Sequence, residues 1–376
     1  MACSIELAAA RYEWPQALDL FDTLCADANA DYNALARAVD ALDRHKGRHS
    51  VDKLLHKHLS HGSPAPALAE FWVHRQVSQG RWALRSRLKA LTFKSQPPDS
   101  QPSAIGRRAV LCYLDHLGEA FENAKRKKQV FGTLHLRYNF SLVLQDHRDW
   151  LRKDDEGWGK VGYVLTCIGR PRRVIEWLGD WKQRPNAESW MLYNLIIMLQ
   201  RRGRYDESRE IIRHAVALRH GEHLYETFRL WAAFEEALLG NNSVAEQHLA
   251  ALPAEGIKEQ MRPVRVMTRL LIARGGTEDK KSFFATARAE LKEVFGRQRP
   301  YQAIRYVRRG YRRFLRVVAP DNRREARHFR HWGWWYYYGA RWLWVPALAP
   351  LLPFAIAMPP FWFLFLYLAL RRSQRD

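Results

Sequence analysis

The chain has 376 residues, of which 12% are aromatic, and it carries a formal net charge of +22. This aromatic content excludes a disordered chain, and the length suffices for two ordinary domains or one elongated array of helical repeats. The positive charge predicts attraction to a polyanion, either nucleic acid or an anionic membrane surface.

The cysteine spacing and the N-terminal sequence indicate the cellular compartment. Cys3, Cys25, Cys112 and Cys167 show no Cys-x-x-Cys spacing, so we predict neither a disulfide framework nor a zinc site, and we favour a reducing compartment. The start of the chain contains Glu6 and no basic segment ahead of a long apolar core. We interpret it as a first helix and not as a secretory signal.

Residues 1–93 are predicted to form helix pairs. Apolar residues recur at three- and four-residue intervals up to Gly47, and the same pattern leads up to Gly80. Such intervals place apolar side chains on one helix face, and glycine ends a helix because it tolerates a positive φ. Residues 94–106 contain three prolines and no apolar period, so we predict a loop that breaks the array.

Residues 107–296 are predicted to be helical again, with no clear register before Trp158. From Trp158 to Ala217, two segments fit one helix–turn–helix template, with Gly169 and Gly203 at the two turns. The later turn glycines are Gly240, Gly275 and Gly276.

These two segments resemble tetratricopeptide repeats, whose period of about 34 residues matches the separation of Gly169 from Gly203. The resemblance rests on the apolar positions before each glycine and on small residues such as Ala215 in the second helix. It implies an all-α solenoid, since a lone helix pair cannot bury its apolar face and neighbouring pairs must stack. The sequence departs from the family pattern at Ile196, Ser208 and His220.

In the family that these segments resemble, the first helix of each pair lines a concave groove. The resemblance implies a groove for an extended or helical peptide of acidic character, because aromatic residues lie beside an arginine and a glutamine. The alternative is that Trp190 and Ile197 only pack between repeats. The implied groove residues are Tyr163, Thr166, Trp190, Tyr193, Ile197, Gln200, Arg201 and Phe234.

Residues 297–341 contain thirteen arginines against two acids, with aromatic residues interleaved. Such a stretch can bind nucleic acid by neutralising phosphates and stacking on bases, or it can lie on anionic lipid headgroups. We favour the membrane surface, because the stretch directly precedes a long apolar run. The predicted membrane-interface residues are Arg305, Arg308, Arg309, Arg312, Arg313, Arg316, Trp332, Trp334, Trp335, Tyr336, Tyr337 and Tyr338.

Residues 342–370 form a run without one charged side chain, followed by a basic tail at 371–376. A helix of that length is about 43 Å long, which exceeds a hydrocarbon core of about 30 Å. Five prolines leave a kinked single span and a re-entrant hairpin as alternatives. We favour the span, because neither half alone crosses a bilayer, with the repeats cytoplasmic and, in a bacterium, at the inner membrane.

No pattern in the sequence predicts catalysis, a cofactor or a metal site. His56 and His58 project about 200° apart on a helix, and Cys167 lies in no nucleophile motif. Phosphate-binding glycine loops and nucleophile elbows are absent from the sequence. We therefore predict a membrane-anchored scaffold or adaptor that binds a protein or peptide. A membrane-associated nucleic-acid binder and a non-catalytic subunit of a membrane enzyme complex remain the alternatives.

Overall fold

The structure is a computed structural model of the chain, and it describes residues 1–27, 29–60, 66–93, 101–127, 129–218, 220–253, 258–274, 280–295 and 305–318. All regular structure in these residues is helical, so the fold is all-α, as the sequence predicts. The chain divides into two compact units, Met1–Leu224 and a second unit that begins at Tyr225.

The first unit consists of α-helices in successive pairs, and two helices that pack across a short turn run antiparallel. These helices are α1 (Ala2–Ala10), α2 (Trp14–Ala26), α3 (Tyr32–Lys46), α4 (Arg48–Ser60), α5 (Pro66–Ser78), α6 (Arg85–Phe93), α7 (Ala104–Arg126), α8 (Val130–Lys153), α9 (Asp155–Ile168), α10 (Pro171–Leu178), α11 (Ser189–Arg201) and α12 (Tyr205–Leu218). A 3₁₀ turn at Trp181–Gln183 lies between α10 and α11.

The odd-numbered helices of the first unit form one layer. Each of them packs against the next odd-numbered helix, from α1 through to α11. Most even-numbered helices pack on both sequence neighbours, as α8 does on α7 and α9, whereas α6 packs on α7 and α8. Because every second reversal restores the chain direction, the odd-numbered helices run parallel to one another. This arrangement is typical of helical-repeat proteins, in which each pair contacts only its neighbours.

The turn glycines end the odd-numbered helices as the sequence predicts. Gly169 has φ 81° and Gly203 has φ 76°, a conformation that costs glycine little. After Gly169, the amide of Arg170 donates to the carbonyl of Leu165 at 3.2 Å, and the turn at Gly203 repeats this bond at 3.0 Å. The predicted turn glycines Gly47, Gly80 and Gly240 also have positive φ. The predicted turn at Gly275 and Gly276 lies outside the described residues.

Two tryptophans join α9 to α10. The indole of Trp158 donates to the carbonyl of Trp177 at 2.8 Å, and the indole of Trp177 donates back to the carbonyl of Trp158 at 2.9 Å. Trp158 is fully buried. Since it occupies the first apolar position of the repeat template, the sequence pattern identifies a true core residue here.

The predicted loop at 94–106 does not separate the helices on either side of it. Helix α5 packs against α7, so the layer of odd-numbered helices continues across this segment. Helix α7 also begins earlier than predicted, because the Ser103 hydroxyl caps it by accepting a hydrogen bond from the amide of Gly106 at 3.0 Å. Residues 94–100 lie outside the described residues. The boundary between the two compact units falls at Tyr225 instead.

The stretch without a clear register is the pair α7 and α8. These helices are 23 and 24 residues long, well above the 13 and 14 residues of α11 and α12. The sequence between α7 and α8 contains no glycine. A template built on short helices and a glycine turn therefore fails here, although the segment is a helix pair like the others.

The second unit continues the pattern of helix pairs and ends in a basic helix. Its described helices are α13 (Tyr225–Leu239), α14 (Asn242–Ala250), α15 (Arg262–Arg274), α16 (Lys280–Phe295) and α17 (Arg305–Val318), with a 3₁₀ turn at Glu259–Met261. Helix α15 packs against α13, α16 and α17. Its core includes the fully buried rings of Trp231, Phe234 and Phe314, and Trp231 stacks on Tyr306 with ring centroids 4.3 Å apart.

Candidate partner-binding face

The outer side of α7, α9 and α11 in the first unit carries most of the residues that the sequence assigns to a groove. The rings of Tyr163 and Trp190 each pack against a glycine of the preceding odd-numbered helix. A Cβ atom on Gly118 of α7 would lie 2.1 Å from Cε1 of Tyr163, and one on Gly159 of α9 would lie 2.7 Å from Cη2 of Trp190. Both glycines are therefore needed for these rings to pack where they do.

Tyr163, Cys167 and Glu122 form a small polar group at the centre of this face. The Cys167 thiol donates to Glu122 Oε1, with Sγ 3.8 Å from that oxygen, and Tyr163 lies close enough to interact with Cys167. Burial, followed by the charge of Glu122, raises the pKa of the Cys167 thiol to about 12. Burial likewise raises the pKa of Tyr163. Both groups stay protonated at neutral pH, so this thiol is a poor nucleophile.

Carboxylates dominate the charge around that centre. Glu119 and Glu122 are exposed on α7, and Asp115 of the same helix accepts a hydrogen bond from Lys160 Nζ at 2.5 Å. Burial and the charge of Glu122 raise the pKa of the half-buried Tyr193. Lys160 compensates the charge of Asp115, so Glu119 and Glu122 are the carboxylates that leave exposed negative charge beside this centre.

The remaining face residues are held by local contacts. Thr166 donates to the carbonyl of Gly162 at 2.9 Å, and the indole of Trp190 donates to Glu188 at 2.8 Å. Ile197 and Arg201 are half-buried. Nη1 of Arg201 would lie 3.4 Å from a Cβ on Gly169, so the arginine reaches the α9–α10 turn.

Two predicted groove residues are not on an accessible face. Gln200 is only 3% exposed on α11, so a partner cannot reach its side chain. Phe234 is fully buried in the second unit, where its ring lies beside Gly310 and under the guanidinium of Arg313. The assignment of Phe234 to a groove is wrong, because its side chain lies in the core between α13, α15 and α17.

The arginines of α17 do not all lie at the surface. Arg313 forms a bidentate ion pair with Glu235 of α13, and the Nη2–Oε2 distance is 2.7 Å. Glu235 is 1% exposed, so its charge is compensated inside the unit. The prediction that Arg313 contacts the membrane is therefore wrong. Arg312 and Arg316 are exposed, whereas Arg308 and Arg309 are half-buried.

The rest of the predicted membrane region lies outside the described residues. This applies to the aromatic cluster from Trp332 to Tyr338, the apolar run 342–370 and the tail 371–376. Among the helices that the structure describes, none is both long enough and apolar enough to cross a bilayer. In the same residues, no group of three or more His, Cys, Asp and Glu side chains is placed to hold a metal ion.

Sequence reasoning missed Glu119, Glu122 and Cys167 as parts of the face. The residues on α7 were missed because the unclear register left α7 without a defined face. The available signal was the spacing of Asp115, Glu119 and Glu122 at four and three residues, which places them on one side of a helix.

No known family model and no curated protein matches this chain. The resemblance to tetratricopeptide repeats therefore rests on the template residues alone. What the fold defines is an all-helical protein built from stacked helix pairs, with a helical-repeat-like first unit.

Proposed function

We propose that the protein is a membrane-anchored, tetratricopeptide-like scaffold that binds a protein partner on the face of α7, α9 and α11. The observation that carries the proposal is the accessible combination of Tyr163, Tyr193 and Ile197 with the exposed carboxylates Glu119 and Glu122. Aromatic side chains supply contact area at low entropic cost, and the charges around them select the partner.

The partner segment proposed here is basic in its centre. A lysine or arginine of an extended or helical peptide would pair with Glu119 or Glu122, while its apolar residues contact Tyr193 and Ile197. The half-buried Arg201 at the end of the face favours an acidic residue or a terminal carboxylate at one end of the peptide.

The test is partner capture from detergent-solubilised membranes with a matched pair of variants. Tyr193→Ala with Arg201→Ala should reduce capture, whereas Arg11→Ala with Tyr12→Ala, the same residue types exposed at the α1–α2 turn, should not. Far-UV circular dichroism should be unchanged for both. Equal capture by wild type and by the face variant would refute the proposal.

Two further arms address the partner's chemistry. Glu119→Lys with Glu122→Lys should weaken capture more strongly at low salt than at high salt, because exposed charges are screened. Each capture is repeated with nuclease. Release of the partner by nuclease would support a nucleic-acid binder instead, and a captured enzyme would place the chain in a membrane enzyme complex.

The anchor in this proposal is the uncharged run 342–370, with the repeats on the cytoplasmic side. A cysteine added after Asp376 should react with a membrane-impermeant reagent from the side opposite the repeats. Reaction only after permeabilisation would establish the hairpin alternative. A chain that does not float with vesicles would refute the anchor.

A further inference from the structure

Helix α8 exposes three large apolar side chains in one stripe. Phe131 is 86% exposed, Leu134 is 41% exposed and Tyr138 is 63% exposed. Their spacing of three and four residues places them on one side of the helix, which we call the α8 stripe. The opposite side of α8 is also apolar and faces the core of the first unit through Leu136, Phe140 and Val143.

Basic residues directly precede the α8 stripe. Lys125, Arg126 and Lys127 are exposed at the end of α7. The sequence contains neither Asp nor Glu between Glu122 and Asp146, a stretch that covers the basic residues and the whole stripe. The local sequence alone therefore places positive charge beside the apolar α8 stripe.

The neighbouring turns extend this basic edge. Nη2 of Arg137 in α8 donates to the carbonyl of Ile168 at 3.3 Å, which places the α9–α10 turn beside the first half of α8. The side chain of Arg201 reaches that same turn from the end of α11, and Arg202 next to it is exposed. Three successive turns of the first unit thus form one edge that carries arginine and lysine.

We propose that the α8 stripe and this basic edge dock on an anionic bilayer surface. Phe131, Leu134 and Tyr138 would enter the headgroup region while the cations of the edge pair with lipid phosphates. Interfacial helices bind membranes by this combination of an apolar face and flanking basic residues. Nucleic acid would use the same cations, but the aliphatic Leu134 in the middle of the stripe offers it no stacking surface.

This inference shares Arg201 with the partner-binding face, but it rests on the α8 stripe and on Lys125, Arg126 and Lys127, which neither that face nor the C-terminal anchor uses. It adds a membrane contact within the first unit. The first unit would then bind the bilayer directly and would not be held there by the C-terminal anchor alone. The two can be separated experimentally, because the anchor predicts vesicle association whatever the lipid charge. Docking of the α8 stripe requires anionic lipid.

The experiment uses the full chain with an environment-sensitive fluorophore at a single accessible cysteine, while the buried Cys25 and Cys167 stay in place. Cys3 and Cys112, the two cysteines that are not buried, are replaced by serine, and the label is placed on Leu134→Cys. The matched control carries the label on Leu7→Cys, an exposed leucine of α1 that follows Glu6. Both proteins are reconstituted in phosphatidylcholine vesicles with or without phosphatidylglycerol, and flotation reports association.

We expect a blue shift of emission at position 134 only in vesicles that contain phosphatidylglycerol, with quenching by nitroxide-labelled lipid. Position 7 should show neither effect. Each basic residue near the surface strengthens binding to an anionic membrane by a factor of about five. The triple variant Lys125→Glu, Arg126→Glu and Lys127→Glu should therefore abolish the emission shift, while flotation and helicity stay unchanged.

Several results would overturn the proposal. One is equal emission from position 134 in neutral and anionic vesicles. A shift that grows with protein concentration in the absence of lipid would mean that a second copy covers the stripe. A shift produced by an oligonucleotide in the absence of lipid would assign the edge to nucleic acid.

Discussion

Helices α17 and α8 show opposite uses of basic and apolar residues. Helix α17 has six arginines in 14 residues, yet it buries a full apolar face and brings one arginine into the core of its unit. Helix α8 has four arginines and lysines in 24 residues, yet it leaves the α8 stripe exposed. Charge density therefore does not report which helix lies at a surface. The number of apolar faces on a helix is the better indicator. One apolar face is enough to pack against the core, so a second apolar face stays at the surface.

The largest expected effect distinguishes the two apolar faces directly. Phe314 of α17 is fully buried, so Phe314→Ala should lower the free energy of unfolding by about 3–5 kcal/mol. Phe131→Ala removes the same ring from the α8 stripe and should change stability by less than about 0.5 kcal/mol. Urea unfolding followed by circular dichroism measures both. A large loss at Phe131 would mean that the stripe is covered in the free protein.

The next effect tests the buried ion pair of α17. Glu235→Ala leaves the Arg313 guanidinium, whose side chain is 15% exposed, without its carboxylate and should cost about 3 kcal/mol. Replacing both residues by methionine should cost much less, because no uncompensated charge remains. Arg312→Ala, at an exposed position of the same helix, is the control. Equal costs for the single and the double variant would show that the pair carries no coupling.

A pH effect tests the buried side of α8. Burial lowers the pKa of His147 from 6.5 to about 4, so the folded protein keeps this imidazole neutral where the unfolded chain binds a proton. The contribution of His147 to stability is complete above pH 6.5 and falls by up to about 3 kcal/mol as the pH drops toward 4. His147→Gln should reduce the pH dependence of the free energy of unfolding between pH 4 and 6.5. Asp146 titrates below this range, since its hydrogen bond to Arg85 lowers its pKa.

The smallest effect compares Gly132 in the first turn of α8 with Gly310 in the middle of α17. A Cβ on Gly132 of α8 would lie 3.6 Å from Gln129, so Gly132→Ala should stabilise by about 0.5–1 kcal/mol through helix propensity. A Cβ on Gly310 of α17 would lie 3.4 Å from Met267 and Phe234, so Gly310→Ala should gain less. The difference between the two midpoints of urea unfolding is the measurement. A larger gain at Gly310 would contradict the close packing of α17.

Local periodicity in the sequence was enough to predict the all-α fold and most of the helix turns. Gly169 and Gly203 end helices because of their own backbone freedom, and Trp158 is buried because of its place in the apolar pattern. These properties depend on residues within one helix pair. They are therefore visible in a sequence without any knowledge of the tertiary fold.

Properties that depend on distant residues could not be predicted. Glu235 and Arg313 lie 78 residues apart, and no local pattern indicates that a carboxylate on one helix will draw an arginine inward from another. The predicted exposure of Phe234 failed for the same reason, since α17 covers the position. The acidic centre of the partner-binding face depends on the packing of α7 against α9, which the unclear register concealed.

The nearest-neighbour packing of the odd-numbered helices has a consequence for how the first unit folds and opens. Its contacts join helices close in sequence, so little chain entropy is lost before a contact forms, and we expect folding without slow long-range steps. Opening should begin at the ends of the array, because α1 and α11 each have one odd-numbered neighbour within the unit while α7 has two. Amide hydrogen exchange should therefore be slowest in α7 and α9 and become faster toward Met1.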